Sequence, residues 1–202
     1  MIFQTQYLPS LSWIVTAMSN HDLVISNSEV FKKSEYRNRC DVASSTGISQ
    51  LIIPLKKWKK EKTTIDSILI SYDTDWQKNH WQSIQSYYGQ ASYFIYYKDD
   101  LQKIFESKFE TLIDFNDALL NLIFKYLKHP FSITYTNRPS DQSMNEKINF
   151  PVYYQTFSLK NGFIPNLSII DLIFNLGPNS KSIIDQLSLQ LKLPSLNPPT
   201  LS

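Results

Sequence analysis

The sequence predicts an α/β protein: a mixed, partly parallel sheet from the first half, covered by helices from the second half. Three observations point there. A strand–helix–strand order opens the chain, apolar strand-like runs recur as far as residue 71, and helix-period apolar stripes dominate from residue 76 onward.

Residues 2–7 read as a short strand. Pro9 to Met18 follows as a helix with Leu11, Ile14 and Val15 on one side. Asp22 to Asn27 is a second strand through Leu23-Val24-Ile25, so a βαβ crossover is expected. Residues 36–42 and 50–56 supply further strands, with Pro54 removing a ladder donor and forcing an edge or bulge. Ile65 to Ser71 is expected to pair beside them and close a hairpin around the lysine-rich loop 56–64.

Trp76, His80, Ile84 and Tyr88 recur every four residues and mark a helix. Leu101, Ile104 and Phe105 mark a short second one. Phe115, Leu119, Leu122 and Tyr126 mark a third, with Asp114 as its cap. Phe131 to Tyr135 is a further strand, and 137–152 is a loop. Leu167 to Leu176 and Ser180 to Leu191 are the closing helices, the first with a capping box Ser168-x2-Asp171 and a stop at Gly177. One domain over residues 1–193 and a flexible tail over 194–202 are expected.

Composition narrows the function classes. Four glycines, without GxGxxG or GxxxxGK[ST], exclude a dinucleotide fingerprint and a P-loop. A net charge of +2 gives no basic footprint for nucleic acid. One cysteine excludes an intrachain disulfide and suits a reducing compartment. The segment Met1 to Gln6 lacks a basic leader, and no apolar run reaches membrane-span length, so a cytoplasmic location is expected. His21, His80 and His129 are not at ligand spacing, so neither a metal nor a cofactor is expected.

The most informative stretch is Lys33-Ser34-Glu35-Tyr36-Arg37-Asn38-Arg39-Cys40. On a strand, Lys33, Arg37 and Arg39 would share one face, with Tyr36, Asn38 and Cys40 on the other. Paired arginines can present planar forks to a carboxylate or phosphate. A solvated face balanced by Glu35 and Asp41 explains the same residues. A second distinctive stretch runs from Gly162 to Pro178. With Gln4, Pro9 and Trp13, Tyr36-Arg37-Asn38-Arg39 and Trp76-x3-His80-Trp81-x2-Ile84, it resembles the WbqC-like family of bacterial proteins over nearly the whole chain.

That resemblance implies an association with surface-glycan synthesis and group transfer to amino sugars. Longer relatives carry an extra helix–strand segment with a glycine-rich loop where this chain has only 137–152, so that loop's role does not transfer. The expected function is a transferase on an activated or amino sugar in surface-polysaccharide biosynthesis. Its partner would be an anionic small molecule such as a nucleotide sugar.

Lys33, Arg37 and Arg39 would hold the anion, with Lys33 also a catalytic candidate, and Tyr36 and Asn38 would orient it. Gln4, Asn166 and Asp171 are further ligand candidates. His80 is the candidate base, although a lone histidine on an apolar stripe also fits a hydrogen-bonded core residue. Asn166, Ser168 and Asp171 equally suit a helix cap. Cys40 fits a small buried hydrophobe. Two other readings stand beside the enzyme. One is a nucleic-acid or aminoacyl-tRNA binder using the arginine pair and Lys56, Lys57, Lys59, Lys60 and Lys62 around Trp58. The other is a non-catalytic scaffold that has lost the glycine-rich loop.

Overall fold

The computed structural model describes residues 1–20, 22–32, 35–58, 63–141 and 148–192. Lys33, Lys59, Lys60, Lys62, residues 142–147 and the expected tail lie outside the described residues.

A parallel three-stranded sheet has the order β1-β2-β5: β1 (Ile2–Phe3), β2 (Leu23–Ser26) and β5 (Ile133–Thr136). Phe3 pairs with Ile25, which pairs on its other side with Tyr135. Helix α1 (Leu11–Met18) connects β1 to β2, giving the expected βαβ unit. The third parallel strand comes from the second half of the chain, so the sheet is not built from the first half alone.

The second sheet is an antiparallel hairpin of β3 (Arg39–Ser44) and β4 (Gly47–Ile52). Its tip is the two-residue turn Ser45–Thr46, and Gly47 takes φ +107°, which glycine adopts without steric cost. This turn moves the hairpin relative to the expected strands 36–42 and 50–56. Tyr36 to Asn38 form a turn, so the alternation of faces begins only at Arg39. Ile65 to Ser71 is likewise not a strand. It is a 3₁₀ turn over Ile65–Ser67 followed by isolated bridges, Leu69 to Thr111 and Ile70 to Leu55.

Helices α2 (Trp76–Tyr88), α3 (Phe94–Glu106) and α4 (Leu112–Tyr126) pack in sequence, and α3 also meets α6 (Ile169–Leu176). A short helix α5 (Ser158–Asn161) precedes α6, and α7 (Asn179–Lys192) covers α1. The buried apolar side chains form one cluster that includes Phe3, Trp13, Tyr88, Phe115 and Phe174. No helix among the described residues is long and apolar enough to cross a membrane.

Two caps differ from expectation. Thr111, not Asp114, caps α4: its Oγ1 accepts from the Asp114 amide at 3.2 Å and donates to the Asp114 carboxylate at 2.7 Å. Ser168 does not cap α6; its hydroxyl donates to the Leu8 carbonyl at 2.8 Å. Gly177 does end α6, with φ +54° and ψ −126°. A Cβ there would stand 2.3 Å from Tyr93 Cδ1, and the Tyr93 amide is tied to the Phe174 carbonyl at 2.9 Å. Gly177→Ala is therefore expected to cost about 1–3 kcal/mol from backbone strain, and more because the ring must move. Urea denaturation measures it; an unchanged midpoint would mean that the helix end re-forms freely.

Candidate functional site

The chain leaves β1 at Gln4, β2 at Ser28 and Glu29, and β5 at Pro139 and Ser140. These three carboxyl ends line one hollow of about 310 Å³, completed by Val30, Lys32 and Arg37. Ligands in open parallel sheets gather at this end of the strands, because the connecting loops diverge there and free their polar groups.

A buried ion pair organises the hollow. Arg37 is only 2% exposed. One guanidinium nitrogen, Nη1, donates to the Val30 carbonyl at 2.9 Å, and Nη2 meets Glu29 in a short ion pair and Glu35 at 2.7 Å. The Ser140 amide donates to the other oxygen of Glu29. Glu29 therefore joins the ends of β2 and β5 to the turn that carries Arg37. Asn116 on α4 completes the frame, donating from Nδ2 to the Arg37 carbonyl at 2.8 Å and to Thr5 Oγ1 at 3.2 Å.

Among the described residues named from sequence as site candidates, Gln4 and Arg37 share this hollow, and Tyr36, Asn38, Arg39, His80, Asn166 and Asp171 do not line it. Arg39 and Asn38 line a separate cavity of about 280 Å³ with Ile52 to Leu55 and Trp58. Arg39 Nη1 donates to Gln50 Oε1 at 3.3 Å, and Gln50 in turn donates to Asp41 at 2.9 Å. Asn38 clamps Ile53, accepting from its amide at 2.8 Å and donating to its carbonyl at 2.9 Å. Tyr36 is exposed and donates to Asp41 at 2.8 Å; partial burial and that carboxylate push its phenol up to about 12. Trp58 packs edge-on against Phe31 at 5.2 Å.

His80 lies in the core. Its Nδ1 is 2.9 Å from the Tyr7 hydroxyl, its ring meets Trp76 edge-on, and burial lowers its pKa to about 4. Asn166 takes φ +57° and caps α1, accepting from the Ser12 amide at 2.8 Å. Asp171 is fully buried beneath the 148–157 segment, where Oδ2 accepts from Tyr153 at 2.7 Å and from Gln155 at 2.9 Å. Burial raises its pKa to about 6 despite those donors. Burial likewise pushes the Cys40 thiol up, as befits a small core residue. No group of three or more metal-ligating side chains occurs among the described residues.

Glu29, Lys32, Ser140 and Asn116 escaped the sequence reading. The available signal was physical rather than a motif: an arginine that becomes buried needs a carboxylate, and Glu29 is near Arg37 in sequence.

Comparison with known proteins places the chain among relatives. The model of the WbqC-like protein family matches residues 4–149 and 143–183. A curated relative from Mycobacterium tuberculosis (strain ATCC 25618 / H37Rv), the uncharacterized protein Rv1507c, is 25% identical over 215 residues, covering 87% of this chain and 93% of that protein. No solved structure matches the chain.

Proposed function

The chain belongs to the WbqC-like protein family, and from that kinship and the strand-end hollow we propose a transferase acting on an activated or amino sugar in bacterial surface-polysaccharide biosynthesis, working in the cytoplasm. The observation that carries the proposal is the meeting of all three parallel strand ends, Gln4, Ser28–Glu29 and Pro139–Ser140, around one polar hollow.

Lys32, an exposed cation on the rim whose ammonium stands 4.0 Å from Glu35, would meet the anionic part of the ligand, and the Gln4 amide would bond a sugar hydroxyl or amide. The Glu29 carboxylate retains lone pairs for a hydroxyl or ammonium group. Arg37 commits both terminal nitrogens to Val30, Glu29 and Glu35, so its role is to position Glu29 rather than to grip the ligand. Lys33 follows Lys32 in the chain and stays a candidate for catalysis on sequence grounds. His80, the base candidate, does not line the hollow, and neither does its hydrogen-bond partner Tyr7.

A thermal-shift screen against nucleotide sugars, free amino sugars and acyl or aminoacyl donors tests this. A ligand at about 100 times its Kd stabilises by about 2.7 kcal/mol, which raises the midpoint by several degrees in a chain of this size. Gln4→Ala and Lys32→Ala are expected to remove the shift without lowering the unliganded midpoint. If no compound stabilises the protein, or the shift survives both substitutions, the proposal fails.

A further inference from the structure

A cavity of about 360 Å³ lies where the amino terminus of α2 meets the carboxyl end of α3, and it shares no residue with the strand-end hollow. Its wall is aromatic and rigid. Trp81 and Phe105 are 8% and 3% exposed, and Trp81 is braced by Phe94 and Phe105 at 6.1 Å each. Tyr72 is half-buried, and its hydroxyl is consumed: it donates to the Phe109 carbonyl and accepts from the Phe109 amide, both at 2.9 Å. The ring is thus fixed in place by both bonds.

The rim is polar and balanced. Asp75 and Glu106 carry negative charge and Lys78 and Lys108 positive charge, so the four sum to zero. Lys108 Nζ stands 5.5 Å from the centre of the Tyr72 ring, at the border between the apolar wall and the rim. Asp75 precedes α2 without making the capping bond its position allows, which leaves its carboxylate free to accept from another donor.

Such a cavity does not favour an ionic occupant, which would gain no net attraction and would place its charge beside both signs. A purely apolar occupant would strip water from four charged groups without replacing their hydrogen bonds. An uncharged ring with C–H faces and a hydroxyl edge satisfies both surfaces, packing against the half-buried Tyr72 ring and bonding the rim through charge-assisted hydrogen bonds. The volume accommodates a single ring. We propose that this cavity binds an uncharged pyranose ring, as a site separate from the strand-end hollow.

Saturation-transfer NMR on the full chain tests it, with methyl β-glucopyranoside and its N-acetylglucosaminide as probes and glucuronate and glucosamine as charged counterparts. Transfer to the ring C–H protons of the uncharged glycosides is expected, with both charged sugars at least about threefold weaker. Asp75→Asn and Glu106→Gln, both at exposed positions that leave folding intact, should each weaken binding about threefold or more. Gln4→Ala should leave it unchanged. Absence of transfer, preference for a charged sugar, or equal transfer in Asp75→Asn, Glu106→Gln and the unmodified protein would each overturn the proposal. Loss of transfer in Gln4→Ala alone would move the ring to the strand-end hollow and overturn it too.

Discussion

Replacing Arg37 with alanine is expected to destabilise the fold by about 3–5 kcal/mol, because it strands a buried carboxylate without its partner. The Glu29 side chain is 11% exposed and has given up most of its water to sit between the Arg37 guanidinium and the Ser140 amide. Natural domains are stable by only about 5–15 kcal/mol, so such a loss would leave much of the protein unfolded at ambient temperature. Lysine at this position would restore the charge but not the fork that reaches the Val30 carbonyl and Glu29 together, so only partial rescue is expected. The pair is separable by a double-mutant cycle: Arg37→Met with Glu29→Gln should cost less than the sum of the two single changes, with a coupling of about 0.5–3 kcal/mol. Urea denaturation at neutral pH supplies all four values. Additive single losses would mean that the two groups do not act as a unit.

The second large effect is a pair of opposed pH dependences. Burial raises the Asp171 carboxyl to about 6, above its unfolded value, so the folded protein binds this proton more tightly than the unfolded chain does. The resulting stabilisation is complete below the unfolded pKa of about 4 and is lost as pH rises through about 6. Burial lowers His80 to about 4, so its contribution is complete above about 6.5 and is lost as pH falls toward 4. Each shift of about two pKa units corresponds to about 3 kcal/mol, and the two oppose each other between pH 4 and 6. Asp117, half-buried and also raised, adds in the sense of Asp171. Asp171→Asn should therefore leave His80 opposed by Asp117 alone, so that the variant weakens more on acidification than the parent does. His80→Gln should leave a protein that weakens as pH rises from 4 to 6. Denaturation midpoints at pH 4 and 6.5 distinguish them, and parallel profiles for both variants and the parent would refute this account.

What was legible in the sequence follows from what periodicity encodes. The run Leu23-Val24-Ile25 is a strand because apolar β-branched residues fit a pleated surface buried on both faces. The stripe Phe115, Leu119, Leu122 and Tyr126 is a helix because its spacing keeps one face apolar. The hairpin was displaced because Gly47, a single residue, supplies the positive φ that fixes the turn, while the flanking residues fit either register. Arg37 and Arg39 were read on one strand face, but the turn over Tyr36–Asn38 sends Arg37 inward to Glu29 and leaves Arg39 on the hairpin. Asn116 carried no local signal at all, because its role arises from an amide on α4 reaching the Arg37 backbone, a pairing no short window along the chain can contain. Glu29 lies near Arg37 in sequence, but only the turn that sends Arg37 inward makes the two a pair. Asn166 and Asp171 resembled one cap from their spacing, yet they serve two different structures, α1 and the 148–157 segment.

The central claim is that the strand carboxyl ends form the ligand site, and backbone-amide shift mapping tests it most directly. Titrating the isotope-labelled protein with a nucleotide sugar that stabilises it should move the amides of Gln4, Ser28 to Lys32 and Ser140 together, with one saturation curve. Perturbations confined to the hairpin cavity beside Arg39, or spread over the surface without saturation, would contradict it.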